Sequence, residues 1–242
     1  MSWDPNSLDK LDIKQDFRLR GENMTRMEVF SDAAFAFALT MLVVSVGTIP
    51  QDYPEFIAAL KNIPAFALSF LQLAVFWLAH RTWSNRYGLN DTLSSLLTLI
   101  MIFFILVFVY PLRLIFSAFF DFVSIGWLPS DFKVNTVQEL SSLFIVYGLG
   151  FAILALIVML LYWHAFRVNN LLKLNELEKL HTSFAINIWG IQAVFGFASA
   201  LFAWLAPAFL QPYAGFVYFG LAVAIPCLSY NFAKRKKQLS QL

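Results

Sequence analysis

Charge, histidine and cysteine are all scarce in this 242-residue chain, and each scarcity removes a class of function. Charged residues make up 13% of it and the net charge is only +2, scattered along the sequence, which argues against a nucleic-acid-binding surface. A single cysteine, Cys227, excludes an intrachain disulfide and any CxxC site. The three histidines, His80, His164 and His181, share no ligand-like spacing with Cys, Asp or Glu, so no metal is expected. Also missing are a GxSxG nucleophile turn, a Ser/His/Asp set inside the apolar runs, and the GxGxxG and GxxxxGK[ST] phosphate loops. The chain is therefore read as neither an enzyme nor a cofactor carrier. Its first residues, MSWDPNSLDKLDIKQDFRLR, alternate charges and lack the short apolar core of a cleavable signal peptide, so the first apolar run is expected to stay in the mature protein.

What is abundant is apolar surface: 60% of the residues are hydrophobic and the mean hydropathy is +0.68. A helix crossing the hydrocarbon core needs about 20 mostly apolar residues. Six runs meet that need, at 25–49, 55–82, 92–119, 138–166, 182–205 and 208–233. They are continuous rather than alternating, which predicts helices and not barrel strands. Turn-forming stretches, among them IPQDYP, YGLND and WLPSD, separate them. The expected organisation is all-α and polytopic: an N-terminal segment 1–24, a six-helix transmembrane domain 25–233 and a basic tail 234–242. Lys10, Lys14, Arg18 and Arg20 precede run 1, Arg86 follows run 2, and Arg167, Lys173 and Lys179 follow run 4. With the tail KRKK they mark one side as cytoplasmic, against Lys133 in the opposite connections, so both termini are expected inside the cell. The tail fits a topology signal better than a dedicated lipid site. No internal repeat is visible, and a six-helix unit without a duplicated half commonly completes its function by symmetric assembly.

Run 1 stands apart. It opens on an acidic residue, Asp32, and is dense in small side chains. Helical spacing places Ala33, Phe37, Thr40, Val44 and Gly47 on one face, with Met41 beside it. Two readings are open: a tightly packed buried helix, or a helix lining a water path. Arg26 is off the i+4 spacing from Asp32, so His80 and Arg81 at the end of run 2 are the expected partners, with Ser31 and Asp32 forming a network that fixes the helix. Arg113, near the outer end of run 3, is expected to snorkel to the interface.

Arg26, Phe30, Ser31 and Asp32 form an R-x-x-x-F-S-D pattern at the start of a first transmembrane helix, and this resembles the transmembrane protein 175 family of lysosomal and prokaryotic potassium channels. Trp77 and His80 are similar to that family's W-x-x-H, as are Asn90, Asp91 and Pro111 in their places; the match covers residues 26 to about 115. The resemblance implies a potassium-permeable channel in a prokaryotic inner membrane, assembled as a homotetramer around four first helices. It also implies a hydrophobic constriction of Phe37, Met41 and Val44, with Thr40 concerned in ion selectivity. No TVGYG-like filter loop occurs. At the position matching the narrowest point, Phe37 stands where relatives usually carry Ile or Leu. The alternative function is a proton-permeable or proton-coupled transporter of small cations, which would need an ionisable group near the bilayer midplane.

Overall fold

The computed structural model describes residues 8–21, 23–45, 49–128, 130 and 134–239. Among these, six helical segments are long and apolar enough to span a membrane, which agrees with the six apolar runs. The first helix, α1 (Arg26–Val44), starts at a capping box: the Thr25 hydroxyl accepts the Glu28 N–H, and the Glu28 carboxylate accepts the Thr25 N–H at 2.5 Å. The second run is two helices, α2 (Tyr53–Lys61) and α3 (Ile63–Tyr87), divided at Asn62. Pro64 has no N–H for the Leu60 carbonyl, so one continuous helix would lose a bond there. After α4 (Thr92–Val123), which continues through Pro111, come α5 (Val137–Arg167), the short α6 (Asn169–Leu172) and α7 (Glu176–Leu205). The last span is a 3-10 helix, Gln211–Gly220, followed by α8 (Leu221–Leu239), whose last turns carry the KRKK residues.

α5 and α7 form the most intimate pair. Each carries a G-x-x-x-A pattern, Gly148 with Ala152 and Gly196 with Ala200. A Cβ on Gly148 would fall 2.9 Å from the Gly196 carbonyl oxygen, and one on Gly196 would fall 2.9 Å from the Ala152 Cβ. In lipid, where no hydrophobic drive joins helices, this close backbone approach supplies the packing attraction. Around it Phe108, Tyr147 and Phe151 stack, with Tyr218 of the 3-10 helix set edge-on against Tyr147 and Phe151. α1 packs on α3 and α4 on one flank, and α8 packs on α7 and the 3-10 helix on the other.

The segment before α1 is folded as well. β1 (Ile13–Lys14) and β2 (Phe17–Arg18) pair antiparallel across Gln15 and Asp16, both in the left-handed region that a two-residue hairpin of this type needs. Phe17 is fully buried, edge-on to Tyr87 at 5.3 Å. Three residues on, Arg20 meets Glu178 in a bidentate pair at 3.0 and 2.8 Å, with neither side chain exposed. Arg20 Nε also donates to the Leu172 carbonyl, and Glu178 accepts the Arg18 and Asn175 N–H groups, the latter as the capping box of α7. Gly21 and Gly88 allow the chain to pass: a Cβ on Gly21 would lie 2.4 Å from the Ser84 carbonyl oxygen, and Gly88 sits at φ 56° against the Arg20 carbonyl.

Breaking a buried pair leaves an uncompensated charge. Arg20→Met is expected to destabilise the protein by about 3 to 5 kcal/mol in detergent unfolding. Lys179→Ala, which removes a surface pair with Glu176 at 2.9 Å, should cost less than about 1 kcal/mol.

Candidate ion pathway on the first helix

α1 has two unlike sides. Ser31, Phe35, Ala38 and Leu42 are buried against α3 and α4. Arg26, Phe30, Ala33, Phe37, Thr40 and Val44 follow one another at alternating steps of four and three residues, and all are exposed, Phe37 by 56% and Val44 by 65%. The chain's own helices leave this stripe uncovered, so the small residues of run 1 are not all packing residues within the subunit. Met41, expected beside the stripe, is half-buried and packs against the core. Gly47 lies outside the described residues. The Thr40 hydroxyl donates to the Ala36 carbonyl one turn back at 2.9 Å.

The motif residues divide between the two sides. Asp32 Oδ1 accepts the Trp77 indole N–H at 2.8 Å, which joins α1 to α3. The expected partners His80 and Arg81 do not fill this role. His80 Nε2 faces the Thr98 hydroxyl of α4 at 3.1 Å, and Arg81 lies over the Trp77 ring, 5.3 Å from its centroid. A guanidinium over the ring draws electron density from it and makes its N–H a better donor to the carboxylate. Ser31 is also corrected: buried, it donates to the Glu28 carbonyl of its own helix and not to a shared network with Asp32. Trp77 and His80 thus tie α3 to α1 and α4, while Arg26 and Phe30 point outward on the stripe.

Two further contacts hold the helix, and a third joins the start of α4 to α5. Glu28, already a cap, accepts a short hydrogen bond from the Ser84 hydroxyl at the end of α3; the T-x-x-E signature at Thr25 was the available signal. At the other end, Arg113 is buried and donates to the Ser45 hydroxyl at 3.1 Å, where snorkelling to the interface was expected. The Ser45 hydroxyl in turn donates to the Leu42 carbonyl, and a cation suits the negative end of α1. Asp91 before α4 accepts the Ser94 hydroxyl at 2.5 Å and pairs with His164 of α5 at 2.9 Å. Partial burial pushes its carboxyl up, but the Ser94 hydroxyl and the His164 ring more than offset this and hold it below the ordinary value.

With this geometry in place, known proteins give a consistent picture. The family described as endosomal/lysosomal potassium channel TMEM175 matches residues 26–111, from the arginine of the first motif to the proline of α4. A potassium channel of Marivirga tractuosa is 35% identical over 181 residues, which cover 72% of each chain. The crystal structure of a single-residue variant of the potassium channel MtTMEM175, in complex with a nanobody–MBP fusion, superposes with a TM-score of 0.79 at 29% identity, covering 93% of this chain and all of that one. These are ion channels and not enzymes. The chain belongs to the TMEM175 family of potassium channels, as a multi-pass membrane protein of the prokaryotic kind.

Proposed function

We propose that four copies of the chain set their α1 helices around a common axis, and that the exposed stripe from Ala33 to Val44 lines a potassium path with no TVGYG filter. The observation that carries this reading is the exposure of that stripe within the subunit: it is the one side of α1 left for a second copy or for water. On this reading Phe37, Met41 and Val44 make the apolar neck, which obstructs ions by size and by dewetting. Thr40 gives the stripe its one polar ligand between them. Met41, being half-buried, contributes its edge to the neck where Phe37 and Val44 contribute their full side chains. The Asp32–Trp77 bond and the Glu28 contacts serve as the frame that sets the rotation of α1, with both termini on the cytoplasmic side of the inner membrane. A proton-coupled carrier is less well served, because the stripe has no ionisable side chain between Ala33 and Val44.

Because Phe37 is already largely exposed in the subunit, Phe37→Ala should change subunit stability by less than about 1 kcal/mol. It should raise single-channel conductance and weaken discrimination among cations. Thr40→Ala should assemble normally and move the reversal potential in mixed potassium and sodium toward non-selectivity. If both variants behave like the parent in bilayer recordings, the path does not run along this stripe. Ala36→Cys in a Cys227→Ser background should cross-link into multi-chain species up to tetramers; a protein that stays monomeric by mass in nanodiscs contradicts the assembly. Trp77→Phe, which leaves Asp32 without its donor, should cost about 1 to 3 kcal/mol and reduce the tetramer yield.

A further inference from the structure

A second polar feature lies on the opposite flank of the subunit from α1. The N-terminal half of α7 and the last turns of α8 line a cleft of about 470 Å³. Phe184 and Phe232, stacked with centroids 4.5 Å apart, stand on its two walls. Asn187 and Asn231 line it from facing helices, and Lys234 and Arg235 line it at the end near the N-terminal hairpin.

The charges here are of one sign. No carboxylate lines the cleft among the described residues. Lys236, the next residue, has its ammonium 2.5 Å from Asp16 of the N-terminal hairpin, whereas Lys234 and Arg235 make no ion pair among the described residues. The two asparagines are exposed on the surface of spanning helices, and no hydrogen bond within the chain satisfies either amide among the described residues. A bare amide at membrane depth is costly, so amides and cations together ask for an acceptor-rich group from outside. α8 buries none of its residues, so its seat on α7 is completed by whatever fills the cleft.

We infer that the α7–α8 cleft binds the headgroup of one anionic phospholipid per subunit. The phosphate sits between Lys234 and Arg235, the glycerol and ester oxygens meet Asn187 and Asn231, and the acyl chains run along the apolar surface beyond Phe184. A lipid is favoured over a free anion because the basic end opens at the level of the headgroups while the amides lie deeper, along the line a glycerol backbone follows. The site is independent of the pore reading, since it involves no residue of α1.

Native mass spectrometry of the full-length protein with added phosphatidylglycerol or phosphatidylcholine tests it. One phosphatidylglycerol per chain should survive detergent exchange, and phosphatidylcholine should not. The double variant Lys234→Gln with Arg235→Gln should weaken phosphatidylglycerol binding roughly 30-fold, about fivefold for each cation. Asn187→Leu should weaken it without any change of charge, and Lys237→Gln, outside the cleft lining, should leave it intact. Equal retention of both lipids, equal loss with Lys237→Gln, or displacement by millimolar inorganic phosphate overturns the assignment. Failure here leaves the conductance experiments on Phe37 and Thr40 untouched, so the two readings fail separately.

Discussion

The buried Arg20–Glu178 pair decides where the first helix enters the bundle. Five residues lie between Arg20 and the start of α1, and the Thr25 cap and the Gly21–Asn85 backbone bond occupy part of that distance. With the guanidinium locked between the α6 carbonyl of Leu172 and the first turn of α7, the chain has little freedom left before Arg26. A buried ion pair is poor evidence of net stability, because desolvation consumes most of the Coulombic gain, but any arrangement that separates the two partners leaves a buried charge uncompensated. Here it makes the most extensive helix pair, α5 with α7, the reference against which α1 is positioned.

That reference is rigid for a reason visible in single atoms. Gly148 and Gly196 bring two backbones so close that no side chain lies between them to change rotamer. The opposite flank is held differently: α1 touches α3 and α4 through an indole–carboxylate bond, a serine–glutamate contact, the Arg113–Ser45 bond at its C-terminal end and a few apolar side chains. The subunit thus combines a close-packed frame with a first helix attached by discrete polar contacts. Side chains that rotate α1 by a few degrees act on those contacts and not on the core.

Much of this was legible in the sequence, since six continuous apolar runs have only one economical solution in lipid. The stripe Ala33, Phe37, Thr40, Val44 was legible because helical periodicity needs no knowledge of neighbours. The partner of Asp32 was not: the helical face was right and the turn wrong, Trp77 standing one turn before Arg81, because charge pairing suggested a cation where an indole N–H serves. Arg113 failed for the converse reason, since one of its partners, Ser45, stands sixty-eight residues away in sequence. The hairpin at Ile13–Arg18 left no trace in a short, charged segment, and Phe17 is buried against residues far along the chain, Tyr87, Arg86 and His181 among them. Division of the second run at Asn62 has its one sequence signal in Pro64, inside an otherwise continuous apolar run.

The hydroxyl of Thr40 has its proton committed to the Ala36 carbonyl, and this fixes more than a rotamer. An oxygen held in that way shows its lone pairs, and never its hydrogen, to whatever lies beyond the helix surface. Such a side chain is a small dipole with its negative end outward, although it bears no formal charge. Where several copies converge, their fields add, and a chloride ion approaching them meets repulsion where a cation meets a ligand. On the proposed assembly around α1, discrimination by sign of charge would follow from one intrahelical bond, with no acidic residue at that depth and no titration to make it vary with pH.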